Sequence, residues 1–218
     1  MAKSEAAKLR DSFQAALAGA ISNMDDAALF ALRSELSAIR AVVAGGKDKA
    51  LAASVDRSLA AVARFHTFAS EVKGFVLSRD FSKKASLFDI GSVGVLAVEN
   101  VLTAERKSLF RLLMSGLSEG LAFAASRQYI YGSTAVLDGL YRTNSAALYD
   151  DLWALATEIR GPLDEKTARE VQQGLDGFFK QLAEPGVPVD RRVVAIYQMY
   201  GILVLVRGAD LLKRLRGS

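Results

Sequence analysis

The chain of 218 residues has no cysteine and only one histidine, His66. The absence of cysteine excludes disulfides, a cysteine nucleophile and a cysteine-ligated zinc or iron–sulfur site. A single histidine cannot supply metal-ligand spacing, and without nearby partners it seldom acts as a general base. We therefore expect no catalytic residues, no metal and no cofactor, and we interpret His66 as a surface or half-buried structural residue.

Acidic pairs are the other candidates for chemistry. Helix capping accounts for the pair at 25–26. Asp150 and Asp151 are adjacent in a predicted helix, where neighbouring side chains point about 100° apart. A solvated face is therefore the favoured interpretation over a metal site. A small-molecule enzyme site built from Asp150, Glu158 and His66 is the weakest of the functional hypotheses.

A signal sequence and a membrane-length apolar run are also missing. Residues 1–13 are charged and lack the apolar core of a signal peptide. The longest apolar run, from Val193 to Val206, is interrupted by Gln198 and is shorter than the roughly 20 residues that cross a bilayer. These features predict a cytoplasmic protein without a membrane partner.

Strand patterns are absent, and almost every segment has apolar residues three or four positions apart. With 51% apolar residues the chain is long enough to bury a substantial core. The sequence therefore predicts an all-α fold, a single bundle of about six to eight helices. The apolar spacing predicts helices over 4–21, 26–43, 47–77, 87–102, 146–159, 164–183 and 191–216.

Turn and capping residues separate these predicted helices. Gly45-Gly46 ends the helix that a residue of the 25–26 pair begins. Asn144-Ser145 is expected to cap the helix over 146–159, and Gly161-Pro162 to end it. Asp164 is expected to cap the helix that follows. Each helix thus has a start or stop signal of its own.

The arrangement predicted from these helices has two parts. The first two helices are expected to form an N-terminal hairpin, residues 1–46, beside a main bundle, residues 47–218. The last helix is apolar on nearly all sides from Val193 to Val206. We therefore expect it to be central or to dock against a partner.

Charge is unevenly distributed along the chain. The formal net charge is +4, with a sequence pI near 9.3. Residues 47–84 carry eight cations against four acids, whereas residues 138–184 carry nine acids against five cations. Such segregation favours a protein that presents one face to a polyanion.

The central segment, residues 104–127, reads AERKSLFRLLMSGLSEGLAFAASR. It consists of a basic amphipathic stretch, a Ser-Gly-Leu joint at Gly116, and a Leu-Ala-Phe stretch that ends in a cation. The segment resembles the central part of the small helical subunit of type III-B CRISPR (Cmr) RNA-guided effector complexes. Residues 58–74 and 191–215 are similar to the family's preceding and C-terminal helices. The family has Asn where this chain has Ser115, and residues 1–46 have no counterpart in it.

The resemblance implies a non-catalytic subunit of a CRISPR effector complex. Copies of such a subunit stack along the other effector subunits and hold guide RNA and target nucleic acid through a basic face. Matching positions then imply four nucleic-acid-binding residues, and charge alone adds three more. The seven residues are Arg106, Lys107, Arg111, Arg127, Arg64, Lys83 and Lys84.

The apolar last helix also suggests a different class of protein. A helical structural protein of the coat or scaffold type, without enzymatic activity, would assemble through such a helix. A related CRISPR small subunit and an unrelated helical protein also fit the sequence.

Overall fold

The computed structural model describes residues 3–22, 26–77 and 132–217. All regular secondary structure in these ranges is α-helical, so the predicted all-α fold is confirmed. The helices are α1 (Lys3–Ser22), α2 (Asp26–Val43), α3 (Lys49–Leu77), α4 (Thr134–Arg160), α5 (Glu165–Ala183) and α6 (Val189–Gly217). The helix predicted over 87–102 and the central segment lie outside the described residues.

The predicted start of α4 is wrong, because this helix begins twelve residues earlier, at Thr134 rather than at 146. Ser133 is the N-cap, and its Oγ accepts a hydrogen bond from Val136 N. Asn144 lies inside the helix and donates from Nδ2 to Leu140 O at 2.8 Å. Ser145 likewise donates to Arg142 O. A side chain that bonds back to its own helix leaves the helix intact, although the same residue types favour caps elsewhere.

The predicted boundary between α4 and α5 is confirmed. Gly161 follows α4 with φ 79°, a left-handed conformation that favours glycine. Asp164 then caps α5, since its Oδ1 accepts from Thr167 N at 2.8 Å and its Oδ2 from Thr167 Oγ1 at 3.1 Å. These caps fix where the two helices stop and start.

The last helix, α6, is the centre of the described bundle. It packs against α3, α4 and α1, while α2 packs against α1 and α3, and α5 against α4. Every residue from Val193 to Leu212 is buried. By length and composition α6 is also apolar enough to cross a membrane, but its apolar window is completely buried inside the protein. Of the two predicted roles for this helix, the central one is therefore observed.

Aromatic rings fill the contact between α3 and α6. Phe65 meets Tyr197 edge to face, with ring centroids 4.8 Å apart. Phe68 lies 5.5 Å from Tyr200, measured between centroids. Such pairs stabilise a core beyond the apolar area they bury. Phe65 and Phe68 thus lie on the face of α3 that packs on α6.

A close contact between α1 and α6 occurs at Gly208. A Cβ added at Gly208 would lie 2.7 Å from Leu17 Cδ1, and Leu17 is fully buried. By contrast, a Cβ added at Gly177 of α5 would meet nothing within 4 Å.

We expect opposite effects from alanine at these two helical glycines. Gly177→Ala should raise the free energy of unfolding by about 0.5–1 kcal/mol, because alanine is the better helix former. Gly208→Ala should lower it by about 1–3 kcal/mol, since Leu17 must shift within a packed core. Urea unfolding measures both values. Equal stabilisation by the two substitutions would contradict the close α1–α6 packing.

Candidate nucleic-acid interface

Arg64 is the one predicted binding residue within the described ranges. Its Nη2 lies 2.6 Å from Asp151 Oδ1, so α3 is bridged to α4. The other six predicted residues lie outside the described residues: Lys83, Lys84, Arg106, Lys107, Arg111 and Arg127. Half of the Arg64 side chain remains exposed, but its charge already has a carboxylate partner.

Arg64 belongs to a larger set of linked charges, which we call the ion-pair network. One heptad before it on α3, Arg57 Nε lies 2.5 Å from Glu158 Oε1. Glu158 Oε2 also accepts a hydrogen bond from Arg207 Nη1 at 2.8 Å. The members of the ion-pair network are Arg57, Arg64, Asp151, Glu158, Arg207, Asp210 and Arg214.

Arg207 is the buried centre of this network. Its side chain is only 3% exposed, although it stands on the most apolar helix of the chain. Besides Glu158, it reaches the backbone oxygen of Asp151 at 3.5 Å. Asp210 lies about one turn after Arg207 on α6, and Arg214 lies about two turns after it. Arg214 Nε is 2.6 Å from Asp210 Oδ2, and Arg214 Nη2 donates to Glu158 O at 3.4 Å. A buried cation is tolerated only when it is paired in this way.

The polar contacts between α4 and α6 repeat every seven residues. Tyr200 bonds to Asn144, Arg207 to Asp151 and Arg214 to the backbone of Glu158, and each pair is separated by 56 positions in sequence. The two helices therefore run parallel in a fixed register. A seven-residue repeat is the spacing of helices packed as in a coiled coil, where a single buried polar group specifies the register.

The contacts between α3 and α4 also repeat every seven residues, but these two helices run antiparallel. Arg57 pairs with Glu158 and Arg64 with Asp151, so the numbers rise along α3 as they fall along α4. The ion-pair network thus joins three helices at two levels. The predicted solvated face is wrong for Asp151, whose side chain is 13% exposed, whereas its neighbour Asp150 is exposed.

Burial of Asp151 affects its protonation. Loss of solvent raises the pKa of this carboxyl above its ordinary value of 3.8, and the nearby guanidinium groups of Arg64 and Arg207 offset only part of that effect. The charges of Asp150 and Glu158 act in the same direction as burial. Asp151 Oδ2 has no hydrogen-bond partner among the described residues.

The residues of the enzyme hypothesis do not converge. His66 Nε2 lies 4.0 Å from Asp26 Oδ1, near the start of α2. Glu158 is instead paired with two arginines, and Asp150 faces solvent. Within the described ranges no group of three histidine or acidic side chains is placed to hold a metal ion.

A second set of cations lies on α2, in the loop that follows it and at the first residue of α3, and we call it the basic hairpin face. It consists of Arg33, Arg40, Lys47 and Lys49, all exposed. Arg40 forms an ion pair with Asp56 of α3. The other three form no ion pair with any described residue. Asp48, which lies between the lysines, is engaged in starting α3, because its Oδ1 accepts from Leu51 N at 2.9 Å.

A groove of about 520 Å³ runs beside these cations, between α2 and α3. Arg33, Arg40 and Asp56 line it together with Ser37 and Leu59. Its remaining lining is small, consisting of Ala41, Ala44, Ala60 and Ala63. One helical turn before Arg33, the side chain of Phe30 is 73% exposed.

This groove was not predicted from the sequence, and neither was the position of Phe30, Arg33 and Arg40 beside it. Arg33 and Arg40 precede the stretch 47–84, in which the cations outnumber the acids, so the local charge did not point to them. The signal was nevertheless present, because Phe30, Arg33, Ser37 and Arg40 recur three or four positions apart. They form a stripe on α2 distinct from its buried one, which consists of Leu29, Leu32, Leu36 and Ile39.

Comparison of the chain with protein-family models, with curated proteins and with solved structures finds no match.

The raised pKa of Asp151 makes its contribution to stability depend on pH. A carboxyl whose pKa is raised by folding favours the native state below its ordinary pKa, and this contribution is lost as pH rises through the folded-state pKa. We therefore expect wild type to gain stability relative to Asp151→Asn as pH falls from about 7 to about 4.

Urea unfolding at several pH values measures this difference. Glu170→Gln, on the exposed side of α5, controls for the loss of one carboxylate. A difference between wild type and Asp151→Asn that shrinks on acidification would show that the arginines, rather than burial, dominate at this site.

Proposed function

We propose that this protein is a non-catalytic nucleic-acid-binding subunit that holds its ligand through the basic hairpin face. The observation that carries the proposal is a contrast between two sets of cations. Every arginine of the ion-pair network lies beside a carboxylate, whereas Arg33, Lys47 and Lys49 are exposed without an ion pair among the described residues. Such cations can neutralise phosphate groups and so release the counterions condensed on a nucleic acid, which favours binding.

The chemistry of these cations determines what kind of binding is expected. Lysine and arginine contacts to phosphate position a nucleic acid but do not read its bases. Binding should therefore tolerate changes of sequence and weaken as salt is added. The groups required for this role are charges on a helical scaffold, and no bond needs to be made or broken.

The finer proposal places the protein in a type III-B CRISPR effector complex. It is supported by the motif at 104–127, with Arg106, Lys107, Arg111 and Arg127 as further contacts, and by the charge of Lys83 and Lys84. Its partners would be guide RNA, target nucleic acid, other effector subunits and further copies of this chain. The all-α fold is compatible with the small helical subunit that the motif resembles.

The structure removes the reason for the self-assembly alternative. That hypothesis was motivated by the apolar last helix, and the apolar residues of α6 are buried within the chain's own core. Among the described residues only Phe30 and Val136 are large apolar side chains with high exposure, and neither lies on α6. A coat-like assembly through α6 is therefore not proposed.

Charge reversal on the hairpin tests the proposal. Lys47→Glu/Lys49→Glu should weaken binding of a labelled single-stranded RNA, measured by fluorescence anisotropy. The slope of log affinity against log salt should fall by about 1.4, since two phosphate contacts are lost at about 0.7 each. The double variant Lys166→Glu/Lys180→Glu, on the exposed side of α5, changes the net charge equally and should bind nearly as wild type.

The outcomes separate the two levels of the proposal. Equal losses in both double variants would mean that only net charge matters, which contradicts a binding face on the hairpin. A third variant, Arg106→Glu/Lys107→Glu/Arg111→Glu, tests the motif in the same assay. Undiminished binding by this variant would remove those three residues from the interface while leaving the hairpin in place.

A further inference from the structure

We infer that the groove between α2 and α3 accepts a single strand of nucleic acid, with one base stacked on Phe30. This inference rests on the proposed function and specifies its ligand class and its site. It joins three observations made on one surface: an exposed aromatic ring, a row of cations and a groove lined by small side chains.

Phe30 is placed where folding does not require an aromatic residue. The buried stripe of α2 is complete without it, and the Phe30 ring is largely in solvent. A base that stacks on an exposed ring gains free energy whatever its identity, because every base has a π-face. Phe30 can therefore add affinity without adding sequence preference.

The cations extend from Phe30 along the groove. Arg33 and Arg40 are seven residues apart on α2, which is about 10 Å along the helix axis. Lys47 follows in the loop after α2, and Lys49 is the first residue of α3. From Phe30 to Val43, the last residue of α2, the helix rises about 20 Å. This length is suited to a site of about four nucleotides, the short end of the range for single-strand binders.

The shape of the groove favours one strand over a duplex. Packed helices lie about 8–10 Å apart, and alanines line the space between α2 and α3. A strand with unstacked bases can enter such a groove and present a base to Phe30. The bases of a duplex are stacked on each other, so a duplex could use only the cations.

The charge of the surface argues for phosphate as the recognised group. Among the described residues, Asp56 is the one carboxylate that lines the groove, and it is already paired with Arg40. That pair links Arg40 of α2 to Asp56 of α3, and both residues line the groove. An acidic peptide is the competing occupant, and it would use the same cations without requiring an aromatic ring that stacks on bases.

The test uses the full chain and a single-stranded RNA that contains one 2-aminopurine, a fluorescent base quenched by stacking. Wild type should quench its fluorescence and should prefer the single strand to a hairpin duplex of the same composition. Phe30→Ala should lose the quenching and about 5- to 150-fold in affinity. Its salt slope should stay unchanged, because the phosphate contacts remain.

Matched variants sharpen this test. Val136→Ala truncates the other large apolar side chain that is exposed in the described part of the chain, and it should leave binding and quenching unchanged. Phe30→Trp should restore both, since it supplies a larger stacking surface. Because Phe30 is exposed, these variants should fold as wild type does, and urea unfolding checks this.

Four results would contradict the inference. Equal affinity for the duplex and the single strand, or equal affinity of Phe30→Ala and Val136→Ala, would remove the stacking site while the proposed function stands. Two results together would assign the groove to an acidic peptide. Poly-glutamate would displace the RNA at equal charge, and Phe30→Ala would lose the same affinity for both ligands. Failure of wild type to bind any nucleic acid would refute the proposed function itself.

Discussion

The pairing of one buried cation, Arg207, is the constraint on which the described structure depends. A guanidinium on the central helix cannot lose its water without a carboxylate, and removing one partner of a buried pair costs about 3–5 kcal/mol. Glu158 provides that carboxylate from α4. Because three further polar contacts between α4 and α6 recur at one sequence separation, a slip by one turn would break all of them. Apolar packing alone would tolerate such a slip far better.

The same constraint separates the cations of this protein into two groups with different roles. Arginines that face α4 carboxylates hold three helices in register, and Arg64 belongs to them despite its partial exposure. The cations of the basic hairpin face hold no helix in place, apart from the link between Arg40 and Asp56. Stability and binding therefore draw on different charges. This separation allows the hairpin to be altered without loss of the fold.

The sequence predicted the helices well, because their signals lie within single segments. Apolar spacing located α3 and α6, and Asp164 identified the start of α5. The register could not be predicted, since the pairs that define it are 49 or more positions apart and carry no local signature. The burial of Asp151 could not be predicted for the same reason. The predicted start of α4 was too late because Asn144 resembles a cap. Arg33 was missed because its neighbours in sequence are not basic.

One measurement tests the separation of the cations most directly. Arginine- and lysine-specific labelling of the folded protein, read by mass spectrometry with and without single-stranded RNA, reports the state of each cation. The account predicts that Arg33, Lys47 and Lys49 react in the free protein and are protected by RNA, while Arg207 reacts in neither state. Labelling of the hairpin cations that RNA does not change, or reaction of Arg207 in the folded protein, would contradict it.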